Sequence, residues 1–412
     1  MLKAYRFRIY PTEKQKEELK FQFGAVRWVY NKTLEDKIKA YKKNKTTISK
    51  FDTINNLKDY KRAEQTKWLK RAASQPLQQS LIHLDKAYRE FFRRVKNKKP
   101  GVKFGFPRFK NRYNEQSLSY PQNVKIICKD NNPDKPNALY LPKIGNVKTV
   151  FHREISGKVK TVIIKQQPSG RYYASLLVET GVDVPQPVSL DKISPDDIIG
   201  IDLGLTDILV DHKSRKIKNP KHLKKALAGL KRHQRVLSRK KKKSNNRTKA
   251  RIKVARLHEK VKNIRKDYQH KLTKHIIDEN QVICIESLNI KRMLKDKHLS
   301  RHISDVSWSA FITKLKYKAE WAGKRVISIE NHYPSTKTCS CCDTARQSLA
   351  LSERTWICDI CHTEHDRDIN AAINIRKRAI EILDKTEKAK GSLIRRLAEG
   401  YPVNMPVEIT SD

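Results

Sequence analysis

The sequence predicts a mixed chain: a small all-β barrel with an all-α insertion, then an α/β domain carrying a cysteine ribbon. Three observations point there. Tyr5, Phe7 and Ile9 alternate with Ala4, Arg6 and Arg8 as in a half-buried strand, and the residues up to about 96 then follow a helical period. A series of short apolar runs separated by turn residues follows, as in a barrel. In the second half, apolar strands end on acids, and five cysteines crowd between Cys339 and Cys361.

The charge narrows the class of function. The 412 residues hold 90 Lys and Arg against 43 Asp and Glu, a net charge of +47. An ordinary metabolic enzyme has no reason to carry such self-repulsion. A polyanion would offset it, nucleic acid first and an acidic membrane surface as the rival. With 38% hydrophobic residues the chain can still build packed cores, in two to four domains by length. The N-terminus lacks the apolar core of a signal peptide, and no stretch approaches a membrane span. A soluble, cytoplasmic, nucleoid-associated protein is expected. Of the seven cysteines, Cys128 and Cys284 stand alone in apolar strands, so the tight cluster suggests metal in place of disulfides.

Taken in order, Thr12 followed by Gln15 reads as a capping box that starts a helix. Phe23, Val26, Val29 and Tyr30 form one helical stripe; Leu77, Leu81, Leu84, Tyr88 and Phe92 form another. Both are core faces, which leaves Ser74, Gln75, Gln78 and Gln79 free for other work. Val124–Cys128, Ala138–Leu141, Val147–Phe151, Val159–Ile164 and Tyr172–Val178 read as strands, and because a similar strand opens the chain, the helical block reads as an insertion. Pro185, Pro187 and Pro195 mark a linker. Ile198–Ile201 and Ile208–Val210 are strands on either side of Asp202-Leu-Gly204.

A long basic helical region comes next. Leu257, Val261, Ile264, Tyr268, Leu272 and Ile276 keep one face while the other faces, and the run Arg239, Lys240, Lys241, Lys242 and Lys243, are cationic. A solvated charge run is the usual explanation, but two paired helices of this kind fit a rail for a phosphate backbone better. Strand Val282–Ile285, a helix around Trp308 to Trp321, strand Val326–Ile329 and a helix from about Asn370 complete the series, with a loosely ordered tail after Gly391.

Two constellations carry chemistry. Cys339-x-x-Cys342 and Cys358-x-x-Cys361, fifteen residues apart, form a zinc ribbon's two knuckles. Cys341 is surplus, so the register is open by one; Cys339 with Cys342 keeps the two-residue gap. Four sulfurs close the coordination sphere, so one structural Zn2+ is expected. The second constellation is Asp202 and Glu286, each at a strand end, with Asp368 at a helix start and Asp366 competing for that third place. Such carboxylates supply hard oxygen ligands for Mg2+, and two ions can activate a water against a phosphodiester.

These stretches resemble the TnpB family, transposon-encoded RNA-guided nucleases related to type V CRISPR effectors. The resemblance rests on Tyr10-Pro11, Gly24-Ala-Val-Arg-Trp-Val-Tyr-Asn31, Leu77-Gln78, Ala87-Tyr88, Phe91-Phe92, Gly105-Phe-Pro-Arg-Phe109, Gly200-Ile-Asp-Leu-Gly204, Ile285-Glu286, Ser304-Asp305, Tyr333-Pro-Ser335, the cysteine ribbon and Asp366-Arg-Asp-Ile-Asn-Ala-Ala-Ile-Asn-Ile375, in that order. It implies a RuvC-like nuclease domain of RNase H fold in which Asp202, Glu286 and Asp368 are the catalytic, Mg2+-binding triad, with an inserted zinc ribbon, an N-terminal wedge β-barrel and a helical recognition domain.

On that pattern the first barrel strand spans residues 1–10, the helical insert 11–110, the rest of the barrel and the linker 111–190, the nuclease domain 191–333, the ribbon 334–365, the end of the nuclease domain 366–385 and the tail 386–412. The resemblance also implies partners: a guide RNA from the transposon end and double-stranded target DNA bearing a short adjacent motif, with a monomer favoured. Motif reading would fall near Asn55, Ser74, Gln75, Gln78, Gln122 and Asn123, where amides suit adenine edges. Arg27, Arg108 and Arg239 to Lys243 would hold nucleic-acid backbone. Three rivals stay open: an RNase H-fold transposase, a guided DNA-binding regulator without cleavage, and a basic zinc-ribbon RNA binder.

Overall fold

In the computed structural model, residues 1–97, 105–113, 115–132, 135–350 and 352–387 are described; the tail expected after Gly391 lies outside them. The chain divides into two compact units, Met1–Val182 and Asp183–Asp412.

In the first unit, β1 (Leu2–Tyr10) leads into three helices, α1 (Glu13–Asn44), α2 (Lys50–Arg62) and α3 (Ser74–Lys96). The capping box forms: the Gln15 backbone N–H donates to Thr12 Oγ1 at 3.3 Å and the Thr12 N–H to Gln15 Oε1 at 3.0 Å. Then follow β2 (Gln116–Tyr120), β3 (Lys125–Cys128), β4 (Pro136–Leu141), β5 (Gly145–Val150), β6 (Lys158–Gln166) and β7 (Tyr172–Glu179). All seven strands make one antiparallel sheet in the order β2-β6-β7-β1-β5-β4-β3. β1 therefore sits at the centre, between β7 and β5, and the helices are an insertion between sheet strands as expected. Among the described residues β2 and β3 are edges that no ladder joins, so the barrel is an open half-barrel.

The period-two burial of β7, with Tyr172, Ala174, Leu176 and Val178 inward, lays one sheet face on the helices. Phe7, Ile9, Leu118 and Val162 meet Leu19, Phe23, Val26, Leu77 and Leu81 there in one core. Strand β2 was not anticipated. Only Leu118 and Tyr120 are large apolar residues among Gln116-Ser-Leu-Ser-Tyr, and a polar edge strand carries a weak pattern.

The second unit opens with β8 (Ile198–Asp202), β9 (Asp207–Asp211) and β10 (Lys216–Lys218). Two long helices follow, α4 (His222–Ser238) and α5 (Asn245–Glu279), then β11 (Val282–Glu286), α6 (Ile290–Met293), α7 (Ser300–Val306), α8 (Trp308–Trp321) and β12 (Arg325–Ile329). The hairpin β13 (Thr355–Ile357) and β14 (Glu364–Asp366) precedes α9 (Arg367–Glu387). The five-stranded sheet runs β10-β9-β8-β11-β12, with β8, β11 and β12 parallel and β9 antiparallel to β8.

Helices cover both faces, and alternate residues choose between them. Ile199, Ile201, Ile283 and Ile285 pack with Leu272, Ile276, Phe311 and Leu315 of α5 and α8. Ile198, Val282 and Cys284 turn the other way, onto Ile375, Ala379, Ile380 and Leu383 of α9. Among the described residues no helix is long and apolar enough to cross a membrane.

Candidate active site

Strand parity sets the site. Ile198 and Val282 face α9, so the residues four positions on, Asp202 and Glu286, fall on that face too, at the ends of adjacent parallel strands whose register pairs Ile201 with Ile285. Helix α9 reaches them because Gly200 has no side chain. A Cβ at Gly200 would sit 2.2 Å from the Ala372 carbonyl oxygen and 2.6 Å from Arg376 Cβ. Ala372 lies one helical turn beyond Asp368, so the contact that needs Gly200 also carries Asp368 toward Asp202. The buried Arg376 fixes the same helix, its Nε donating to the Ile198 carbonyl at 2.9 Å. At Gly204 a Cβ would meet the Asp207 carbonyl oxygen at 2.6 Å, so the turn that carries the chain from Asp202 into β9 also requires glycine.

The electrostatics follow from this crowding. Burial, with the neighbouring Asp368 and Glu286 carboxylates, pushes the Asp202 carboxyl up to about 7, and Arg367 only partly relieves it. Burial also raises Glu286. A carboxyl raised by burial and by like charges favours a proton or a cation. Among the described residues only the four cysteines, and not these three acids, gather their ligand atoms within metal reach. Asp366 is in a different position. Its Oδ1 accepts from the Asp368 and Ile369 N–H groups, both at 3.1 Å, capping α9, and its Oδ2 pairs with Lys216. Burial alone would raise it, but Lys216 and those N–H groups hold it below the usual carboxylate range. Of the two aspartates, Asp368 is the one whose charge helps raise Asp202.

Sequence reasoning missed Arg354. Its Nη1 lies 3.5 Å from Asp368 Oδ2, on an arm that is 61% exposed. It arrives there because β13 pairs with β14, bringing Thr355 opposite Asp366. Nothing in local spacing signals that pairing.

The four sulfurs of Cys339, Cys342, Cys358 and Cys361 all lie within 4.8 Å of one another, the one such group among the described residues. Cys339 and Cys361 are 3.5 Å apart and Cys342 and Cys358 3.6 Å. Tetrahedral zinc with sulfurs at about 2.3 Å calls for about 3.8 Å between them, so the cage fits. Cys341 is exposed and outside the cage; it only donates its backbone N–H to Cys339 Sγ at 3.4 Å. Burial raises the Cys339 thiol to about 12, a cost that coordination to a cation removes. His365 packs at a tilt against Trp356, ring centres 4.7 Å apart, and sets Nε2 3.0 Å from Cys339 Sγ. The ribbon is tied to α9 by Asn370 and Asn374, whose side-chain nitrogens both donate to the Thr338 carbonyl.

Of the remaining sequence expectations, Ser74, Gln75 and Gln78 share the first turns of α3, Asn55 is exposed on α2, and Gln122 and Asn123 are exposed in the turn after β2. Ser74 Oγ accepts from Lys61 at 2.8 Å, and Gln75 Oε1 is a buried oxygen without a hydrogen bond. Arg108 is exposed, Arg27 donates to Gln116 at 2.8 Å, and Arg239 to Lys243 form the exposed turn between the packed helices α4 and α5. Asp305, within the Ser304-Asp305 match, does structural work: it accepts from the Leu223 and Lys224 N–H groups at the start of α4 and pairs with Arg265.

Comparison with known proteins matches three family models: "Probable transposase" over residues 176–297, "Cas12f1-like, TNB domain" over 308–375 and "Helix-turn-helix domain" over 1–46. In the last span the fold is one strand and one unbroken helix. A protein of Streptomyces pristinaespiralis named "Putative RNA-guided DNA endonuclease" is 35% identical over 382 residues, 90% of this chain and 88% of that one. "Putative RNA-guided DNA endonuclease InsQ" of Escherichia coli K12 is 32% identical over 390 residues, 91% of each chain. Among solved structures, "Cryo-EM structure of the Cas12f1-sgRNA-target DNA complex" matches with a TM-score of 0.51 at 14% identity, over 91% of this chain and 98% of that one, a likeness of fold.

Proposed function

Since this chain belongs to the TnpB family, we propose that it is an RNA-guided DNA endonuclease whose cutting site is the group Asp202, Glu286 and Asp368. The observation that carries the reading is the placement of Asp202 and Glu286 at the ends of adjacent parallel strands, on the sheet face that α9 covers, where burial and then the Asp368 and Glu286 charges raise Asp202 to about 7. Three hard oxygen donors in a basic protein suit Mg2+, and these three residues would hold it. When bound, the metal activates water and steadies the leaving oxygen of a phosphodiester. Asp202 and Glu286 fix the ligand positions through a rigid parallel ladder, while Asp368 rides on α9. Arg354 can leave Asp368 for a phosphate. The cysteine ribbon would hold one structural Zn2+ and set the approach of Arg354.

Guide RNA and target DNA are held mainly through phosphates, with Arg108 and the Arg239–Lys243 turn among the contacts, and this binding weakens steeply with salt. The adjacent motif is read by Asn55, Ser74, Gln75, Gln78, Gln122 and Asn123, with guide pairing supplying the remaining specificity. The domain partition follows the sequence boundaries above, with the protein acting in the cytoplasm as a monomer. The test is to sequence the RNA that copurifies with the protein and challenge the complex with a randomised DNA library in magnesium. Cleavage next to one enriched motif, lost in Asp202→Ala with binding retained, is expected. Residual cutting by Asp202→Ala would remove that residue from the site.

A further inference from the structure

Helix α1 buries Leu19, Phe23, Val26 and Val29 in the core; Phe21 and Trp28 pack against the edge of that core and, with Gly24 and Lys32 at helical spacing, line an open cleft of about 490 Å3. Trp68 and Phe109 complete its walls, with 40% and 55% of their surfaces exposed. The volume falls in the range of small-ligand sites, roughly 300–1,000 Å3. The walls are built in advance. Trp68 packs edge-on against Phe21 at 5.9 Å and Trp28 at 5.7 Å, and Trp28 in turn packs against Tyr60. Asn31 pins the Phe109 segment, accepting from the Lys110 N–H at 2.8 Å and donating to the Lys110 carbonyl at 2.9 Å. The floor is Gly24, where an added Cβ meets nothing within 4 Å.

From this geometry we infer that the cleft holds one unpaired base of the guide RNA, stacked on the tryptophan and phenylalanine rings. The identity of the strand rests on the RNA-guided reading; the cleft itself does not. Exposed aromatic faces beside cations are what a single-stranded base requires. The cations lining the cleft are Arg27, which also donates to Gln116 at 2.8 Å, and Lys32. Arg71, paired with Glu18, covers one face of the Phe21 ring at 4.4 Å and leaves the Trp28, Trp68 and Phe109 rings for the base. Both polar atoms of the Asn31 amide are engaged by Lys110, which fixes that side chain as part of the wall, so the cleft accepts a base mainly by shape and stacking. RNA is favoured over DNA by Glu35 at the cleft: its carboxylate, paired with Lys39 at 2.6 Å, can also accept from a ribose 2′-hydroxyl, and deoxyribose offers no such donor.

Gly24→Leu tests this without threatening the fold, because the new side chain enters empty space and leucine favours a helix more than glycine. The probe is a single-stranded RNA oligonucleotide carrying 4-thiouridine, with its 2′-deoxy counterpart as control. Wild type is expected to cross-link through peptides containing Phe21, Trp28, Trp68 or Phe109. Gly24→Leu should lose that cross-link and bind the RNA about 5- to 150-fold more weakly, the worth of one base stack, with an undiminished melting temperature. Trp68→Ala should weaken binding in the same direction. Cross-links mapping elsewhere, or unchanged affinity in Gly24→Leu, overturn the inference; equal affinity for the deoxy strand overturns its RNA assignment. A protein that shows these cross-links yet never cuts DNA would refute the nuclease reading and leave this one intact.

Discussion

Gly200→Ala should separate the two halves of the acidic site without touching an acid. The added Cβ would lie 2.2 Å from the Ala372 carbonyl oxygen, whereas real Cβ atoms essentially never come closer than 3.0 Å. Neither partner is a flexible tip: one is helix backbone and the other is Cβ of the buried Arg376. Relief therefore means backing α9 off β8 by about 1 Å, since packed interiors have no slack to absorb it. Overpacking of this size costs about 1–3 kcal/mol, a visible drop in melting temperature short of unfolding. Asp368, one turn away on the same helix, retreats from Asp202 by a similar distance. A misplacement of about 1 Å can cost on the order of 100-fold in rate. Guided cleavage of a plasmid, measured as single-turnover rates beside thermal denaturation, reads both effects. Guide binding should be unchanged. A Gly200→Ala protein that cuts within about twofold of wild type would refute the claim that this contact positions the third acid.

Protonation gives a second test. Because Asp202 is raised to about 7, the metal-free fold binds a proton that the unfolded chain releases near its ordinary value of 3.8, so apo stability should fall as pH rises from about 4 through 7. Below about pH 7 Mg2+ must displace that proton, so its affinity should climb up to about tenfold per pH unit and level off above. Asp202→Asn should flatten both curves in thermal-shift titrations; persistence of the slopes would assign them to another group. Cys358→Ser with Cys361→Ser should lose about one zinc per chain by elemental analysis and destabilise the ribbon, whereas Cys341→Ser should retain it. Zinc retained by the double variant, or lost in Cys341→Ser, would reassign the ligands.

Much of this architecture was legible in the chain because its elements are locally patterned. The Thr12–Gln15 box, the helical stripes and the strands ending on Asp202 and Glu286 all declare themselves over a few residues. The cysteine spacing likewise anticipated a cage that four sulfurs form within 4.8 Å. What stayed hidden depends on partners distant in sequence. What distinguishes Asp366 from Asp368 includes Lys216, 150 residues away, which pairs with Asp366 while that residue caps the helix. Arg354 reaches Asp368 through the β13–β14 ladder, which pairs residues on either side of the second cysteine knuckle. β2 is polar, and β10 spans only three residues, too short for a period to show. The cleft beside Phe21 and Trp28 depends on Trp68 and Phe109, which no local spacing brings to that helix.

The central claim is that two strand ends and a helix start bind divalent metal together. Anomalous diffraction from crystals grown in manganese tests it directly. The account predicts manganese density about 2.1 Å from carboxylate oxygens of Asp202, Glu286 and Asp368, gone in Asp202→Asn, with the cysteine cage occupied in both. Manganese absent from those oxygens, or bound by only one of the three residues, would contradict it.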